Sequence, residues 1–202
     1  MITTAEMKKL EDSCGISKLQ LMENAGRGIA EEIKKRFPDL KDKNILFICY
    51  HGNNGGDGFT AARYLCDDCE VDVLFIGDES KLKEEAEINY KRILNNEKVQ
   101  VLYDDEDVNF DDYSIIVDAI LGTGVNAPLK GQISNVIGEF NNSKAFKIAI
   151  DIPTGLDPDT GIITDKAIDA DLIITIHDLK PGLEKYKDKV VIIDIGIRKK
   201  VY

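Results

Sequence analysis

The residues of this chain best suited to chemistry lie in four separated places: Asn53-Asn54-Gly55-Gly56-Asp57-Gly58, Asp118, Asp151 with Thr154, and Lys180. The first is a polar, glycine-rich turn. Its glycines permit positive φ angles and a close backbone approach to a ligand, and free N–H groups where a helix begins form an anion-binding site. Phosphate is the natural guest. The side-chain carbonyls of Asn53 and Asn54 are hard oxygen donors, suited to a cation or to the edge of an amide-bearing ring. Asn-Gly pairs are also ordinary turn residues. Six consecutive turn formers between an apolar run and a helical segment favour a ligand loop.

Asp118 interrupts the apolar run Ile115-Ile116-Val117-Asp118-Ala119-Ile120-Leu121. Asp is disfavoured within strands and costly to bury, so it belongs at the strand's C-terminal end beside a partner. Asp151 repeats the pattern after Phe146 to Ile150 and is followed by the turn Ile152-Pro153-Thr154-Gly155. Either aspartate alone serves equally well as a helix cap or turn former. Polar groups at three strand ends together predict one site along the carboxyl edge of a sheet, where open α/β folds bind ligands. Lys180, in His177-Asp178-Leu179-Lys180-Pro181-Gly182-Leu183, is placed to approach that edge. His51 and His177 are the two histidines, and each suits the ligand or a solvated loop.

The elements that must position these residues are legible from periodicity. Asn44 to Tyr50, apolar on consecutive positions, reads as a parallel strand covered on both faces. Phe59, Ala62 and Leu65 then follow at helical spacing. Further strands are expected at 71–76, 99–102, 115–121, 146–151, 172–176 and 190–195, with helices at 80–94 and 132–140. The alternation predicts a right-handed parallel sheet with helices on both faces. Two helices, 4–14 and 17–36, precede the first strand, and the second carries the stripe Leu19, Met22, Ala25, Ile29 and Ile33. Its small patch Ala25-Gly26-Arg27-Gly28 allows close packing within the chain or against another subunit.

With 202 residues, one α/β domain spanning 1–202 is the economical reading. The net charge of -11 argues against nucleic acid, whose phosphate backbone demands a basic field. No apolar run nears the roughly 18 residues needed to span a bilayer, so no membrane role is expected, and the chain is expected to be cytoplasmic. Cys66-Asp67-Asp68-Cys69 has a two-residue spacing, but without a second pair or a nearby histidine it reads as helix-end chemistry rather than a zinc set.

Read together, these segments resemble the NAD(P)H-hydrate epimerase family, the N-terminal half of the YjeF-type repair proteins. The resemblance is carried by Leu21-Met22-Glu23-Asn24-Ala25-Gly26, Gly52 to Gly58 with Ala61-Ala62-Arg63, Val117 to Gly124, and Asp151 to Gly155. Lys180-Pro181-Gly182-Leu183 and Asp194-Ile195-Gly196-Ile197 extend it. It implies a Rossmann-like three-layer α/β/α sandwich, mostly parallel, with extra N-terminal helices, often dimeric. It also implies an isomerase acting on hydrated NADH and NADPH. By the same resemblance Asn54, Asp118 and Thr154 supply oxygens to a potassium ion. Asn53, Asn54, Gly55, Gly56, Asp57, Asp151 and the loop Gly122-Thr123-Gly124-Val125-Asn126-Ala127-Pro128 contact the hydrated dinucleotide. A dehydratase acting on the same metabolites is an expected functional partner, and a homodimer the expected assembly.

Two positions depart from the family pattern: Tyr50-His51 stands where a glycine or small residue is common, and Thr154 where serine is frequent. Threonine keeps the hydroxyl a cation needs. Chemically, the residue expected to catalyse is Asp151, one carboxyl serving as acid for a departing hydroxyl and base for incoming water. An oxidoreductase is disfavoured because no Gly-x-Gly-x-x-Gly order follows the first strand. A non-catalytic nucleotide sensor or protein-binding module of the same fold is the alternative.

Overall fold

The computed structural model describes residues 1–103, 106–123, 129 and 131–198. Seven strands, β1 (Asn44–Cys49), β2 (Glu70–Phe75), β3 (Val99–Leu102), β4 (Ile115–Ala119), β5 (Phe146–Ile150), β6 (Leu172–Ile176) and β7 (Val190–Ile193), form one sheet in the order β3-β2-β1-β4-β5-β6-β7. All six pairings are parallel. The chain winds outward from β1 to β3, then returns to place β4 on the other side of β1. The crevice between β1 and β4 is thus the topological switch point of a doubly wound fold, where such sheets bind ligands.

Helices α1 (Thr4–Ser13), α2 (Lys18–Arg36), α3 (Asn53–Leu65), α4 (Glu84–Leu94) and α5 (Gln132–Asn142) complete three layers. Period-two alternation along each strand feeds two cores. In β1, Ile45, Phe47 and Cys49 pack with Ile29, Ile33, Phe59 and Tyr90 of α2, α3 and α4, whereas Leu46 and Ile48 pack with Val136, Ile137 and Phe140 of α5. The strands are apolar on consecutive positions because both faces are covered.

Helix α1 starts at a capping box, in which Thr3 Oγ1 accepts from the Glu6 N–H and the Glu6 carboxylate accepts from the Thr3 N–H. Its first turn is tied to the far loops. The Thr4 N–H and hydroxyl donate to the two oxygens of Asp159 at 2.9 and 2.7 Å, and the Ile2 N–H donates to Leu179 O at 2.8 Å. The small-residue patch of α2 is used within the chain. A methyl at Gly26 would stand 2.4 Å from Thr60 on α3, and one at Gly28 would stand 3.2 Å from Ile193.

The glycine-rich stretch departs from expectation. Asn53 to Gly58 is the opening of α3 rather than a loop before a helix at Phe59. None of its glycines has positive φ. Turn-forming composition is misleading here because these glycines are selected by contact. An added Cβ would lie 1.8 Å from Tyr50 O at Gly55, 2.5 Å from Met22 Cε at Gly56, and 2.6 Å from Ala119 Cβ at Gly58. Side chains at these positions would push α3 off β1, β4 and α2.

Candidate active site

The cleft is built from strand ends. β1 leads through Tyr50 and His51 to Gly52, the extended N-cap of α3, which offers no side chain to cap the helix. The first-turn N–H groups of α3 therefore lack intrahelical partners, and no acidic residue occupies that turn to compete for them. This is the anion-binding geometry the composition suggested.

One strand over, Asp118 is fully buried at the C-terminal end of β4, beside Ile48 of β1. Its Oδ1 accepts from the Ile120 N–H at 3.1 Å and the Thr154 hydroxyl at 2.7 Å, and its Oδ2 accepts from the Thr154 N–H at 2.8 Å. Burial pushes the Asp118 carboxyl up to about 6, against the opposing pull of these hydrogen bonds. Thr154 Oγ1 in turn accepts from the Leu121 N–H at 3.0 Å. Asn54 is buried against Gly122, one residue past Leu121. Its side chain lies 3.3 Å from where a Gly122 Cβ would stand, and its Nδ2 has no hydrogen-bond partner among the described residues. Asp118 and Thr154 are thus in direct contact, and Asn54 adjoins them through Gly122.

Whether this trio suits a monovalent cation can be judged from its donors. A carboxylate has about four acceptor positions, of which three are taken on Asp118, and the Thr154 hydroxyl has one lone pair left after accepting from Leu121. The side-chain carbonyl oxygen of Asn54, beside Gly122, completes a set with one formal negative charge and neutral oxygens. Such a set fits a hard ion of single charge. Among the described residues there is no group of three His, Cys, Asp or Glu side chains able to hold a metal, so a carboxylate-rich divalent site has no counterpart here.

Asp151 follows β5 and is nearly buried. Its Oδ1 accepts from Lys180 Nζ in a buried ion pair, from the Thr175 hydroxyl at 3.2 Å and from the Ile176 N–H at 3.2 Å. Lys180 is 1% exposed and also donates to Thr175 Oγ1 at 3.1 Å and Ile176 O at 2.7 Å. Asp151 has φ 62° and His177 has φ 68°. Each is spanned by an i+2 to i hydrogen bond of 2.8 Å, Ile152 N–H to Ile150 O and Asp178 N–H to Ile176 O. Both β5 and β6 therefore end in the strained classic type of γ-turn, an arrangement that swings the next residues across the sheet edge. Periodicity carries no signal for these turns, since neither is centred on glycine.

A cleft of about 300 Å³ runs along this edge, with Tyr50, His51, Asn53, Asn54, Asp57, Gly122, Thr123, Asp151, Lys180, and Glu11 of α1 among its walls. A second space of about 520 Å³ continues between α1, α2 and α4, sharing Met7, Glu11, Asn53, Asp57, Lys83 and Thr123. A Cβ at Gly55 would meet Tyr50 O and one at Gly56 would meet Met22, so these two positions have only their backbone to offer a ligand. Gly124, Val125, Asn126, Ala127 and Pro128 lie outside the described residues. His51 stacks on Tyr50 with ring centres 3.8 Å apart and accepts from the Asp78 N–H, and burial lowers its basicity. His177 is buried and lines neither space. The Cys66–Cys69 pair sits at the end of α3, both thiols free and turned toward Arg63 O and Leu65 O.

Sequence reasoning passed over Glu11. It lies on α1, the helix that roofs both spaces, and burial raises its carboxyl above the usual range, with Asp151 adding repulsion. The amphipathic pattern of α1 carried the signal, because a carboxylate beside the buried Met7 on one face is a charge turned inward.

A parallel sheet wound both ways from one crevice, with a bare helix N-terminus and a buried carboxylate set at its carboxyl edge, defines a Rossmann-like α/β protein with its site at the switch point. The chain belongs to the family described as YjeF-related protein N-terminus, whose model matches residues 18–182. It is 41% identical over 97% of its length to the bifunctional NAD(P)H-hydrate repair enzyme Nnr of Archaeoglobus fulgidus, of which it spans 41%. It is 34% identical to the NAD(P)H-hydrate epimerase of Nitrosopumilus maritimus, covering 93% of this chain and 89% of that one. With the epimerase of Rhodopirellula baltica it shares 39% identity over 88% of this chain and 75% of the relative. The crystal structure of yeast ynu0 superposes with a TM-score of 0.84 at 25% identity, covering 100% of this chain and 90% of that one.

Proposed function

We propose that the chain is an NAD(P)H-hydrate epimerase, an isomerase interconverting the R and S forms of hydrated NADH and NADPH. The observation that supports this reading best is the pairing of a buried Asp151–Lys180 ion pair with a bare helix N-terminus in one cleft. The first suits proton transfer with an oxygen borne on a ring carbon, the second a dinucleotide's phosphates. The names of the relatives above agree with it.

The reacting carbon bears both a hydroxyl and a ring nitrogen. Loss of hydroxide assisted by the nitrogen lone pair gives a planar iminium, and water adds to either face. Asp151, with Lys180 bonded to Oδ1, offers Oδ2 as the acceptor for a proton of the incoming water. The first-turn N–H groups of α3, with Asn53 above them, hold the phosphates. Gly122 and Thr123 form the wall beside them, and the strand ends keep bulk water from the ring. Asn54, Asp118 and Thr154 would hold a potassium ion, which supplies a positive charge that orders neighbouring oxygens.

The relatives named bifunctional repair enzymes support a working partnership with an NAD(P)H-hydrate dehydratase. A homodimer and a cytoplasmic setting are part of the same proposal. Among the described residues no helix is long and apolar enough to cross a membrane. The decisive experiment follows the R/S ratio of hydrated NADH by chromatography after an enriched epimer is added. The wild type brings the mixture to equilibrium faster than buffer, and Asp151→Asn at wild-type rate would remove Asp151 from the chemistry.

A further inference from the structure

The cleft holds more carboxyl groups than one general base requires. Asp57, on the second turn of α3, is 8% exposed and lines both spaces. The charged groups that share those spaces with it are Lys8, Glu11 and Asp12 on α1, Lys18 on α2, Lys83 and Glu85 at the start of α4, Asp151 after β5 and Lys180 after β6. Of these cations, Lys180 has no donor to spare: its three N–H bonds go to Asp151 Oδ1, Thr175 Oγ1 and Ile176 O. Lys8, Lys18 and Lys83 are exposed, Lys18 is paired with Asp12, and none of the three makes an ion pair with Asp57. Among the described residues, Asp57 is therefore buried beside two other carboxyls without a counter-ion of its own. Burying a charge in that way costs several kcal/mol, and a carboxyl so placed is held as the acid. Consistently, burial, then Asp151, then Glu11 drive its affinity for a proton well above the ordinary value.

The carboxyl of Asp57 faces the cleft in which the substrate would sit. It meets the one requirement of the epimerisation that the ion-paired Asp151 does not, a proton donor for the departing oxygen. We propose that Asp57 supplies the proton that leaves with the hydroxyl, so that the site works with two carboxyls in complementary roles. This inference rests on the epimerase reading above.

The step balances. The C–O bond breaks as the nitrogen lone pair forms the C=N bond, and the Asp57 proton joins the departing oxygen, which leaves as water. Water then adds to the iminium carbon, the π pair returns to nitrogen, and Asp151 takes the surplus proton. Water in the cleft returns that proton to Asp57. Two carboxyls whose surroundings drive their proton affinities apart are the familiar basis for dividing acid and base roles.

The test combines infrared spectroscopy with kinetics. In protein labelled with ¹³C-aspartate, the wild type at neutral pH should show a protonated carboxyl band that persists to alkaline pH and is missing in Asp57→Asn. The same variant should lose about 10²- to 10⁴-fold in epimerisation rate while still binding NADPH, and should lose the alkaline limb of the pH–rate profile. Should Asp57→Asn not fold, Asp57→Ser and the wild-type titration carry the measurement. A wild type without the band, or a folded Asp57 variant at wild-type rate, overturns the proposal. A wild type that shows the band but does not epimerise overturns the reaction assigned to the site and leaves the acid identified.

Discussion

Thr154 grips Asp118 at two points, its N–H on one carboxylate oxygen at 2.8 Å and its hydroxyl on the other at 2.7 Å. The contact links the end of β4 to the turn after β5. It also leaves a pair of oxygens with unused lone pairs in a dry setting beside Asn54. An ion bound only by the folded chain stabilises it in proportion to the logarithm of its concentration. Thermal unfolding in potassium chloride should therefore occur at higher temperature than in an equal concentration of tetramethylammonium chloride. Asp118→Asn should abolish the difference, and an equal gain in that variant would move the ion elsewhere.

The same carboxylate predicts a pH dependence with a definite sign. Its folded value of about 6 is above the ordinary 3.8, so the folded chain binds the proton more tightly than the unfolded one. Burial of Asp118 therefore weakens stability as pH rises through the interval between those values, and its effect is constant above it. In potassium-free buffer the stability of the wild type relative to Asp118→Asn should fall by roughly 3 kcal/mol between about pH 4 and pH 7. Urea unfolding of both proteins at the two pH values reads it. A relative gain toward neutral pH would contradict the assignment.

Gly55→Ala tests the packing of α3. In an exposed helix this change stabilises by up to about 1 kcal/mol, because glycine is the poorer helix former. Here the methyl would sit 1.8 Å from Tyr50 O, a backbone atom that cannot step aside. We expect a loss of several kcal/mol or failure to accumulate as soluble protein, read by urea unfolding. Gly52→Ala, with open space around it, should be tolerated.

Lys180 and Asp151 should be much worse apart than together. Lys180→Met leaves a carboxylate in a nearly closed site and should cost about 3–5 kcal/mol, as removal of one member of a buried pair does. Asp151→Asn with Lys180→Met should recover part of that loss while remaining inactive. Unfolding midpoints of the two singles and the double close the cycle.

How far the chain could be read in advance depended on the kind of signal. The strands announced themselves because a doubly covered parallel sheet requires consecutive apolar residues. Asp118 and Asp151 stood out because a carboxylate at the end of such a run is costly to bury and must find partners there. The glycine stretch misled because composition does not tell a glycine chosen for its φ from one chosen for lacking a Cβ. That choice is made by Tyr50, Met22 and Ala119, residues distant in sequence or across a turn. The γ-turns at Asp151 and His177 were illegible for a related reason, since surrounding structure holds non-glycine residues where local preference would not. Asp57 was visible as a polar residue, but its lack of a counter-ion follows only from seeing Lys180 fully engaged.

The seclusion of Lys180 also makes it an internal reporter. Reagents that acylate amines modify the exposed lysines of α2, α4 and the connecting segments freely, while an amine 1% exposed and hydrogen-bonded three ways waits for the strand ends to part. The lag between its modification and that of its neighbours, followed peptide by peptide in a mass spectrometer, measures how often the floor of the cleft breathes.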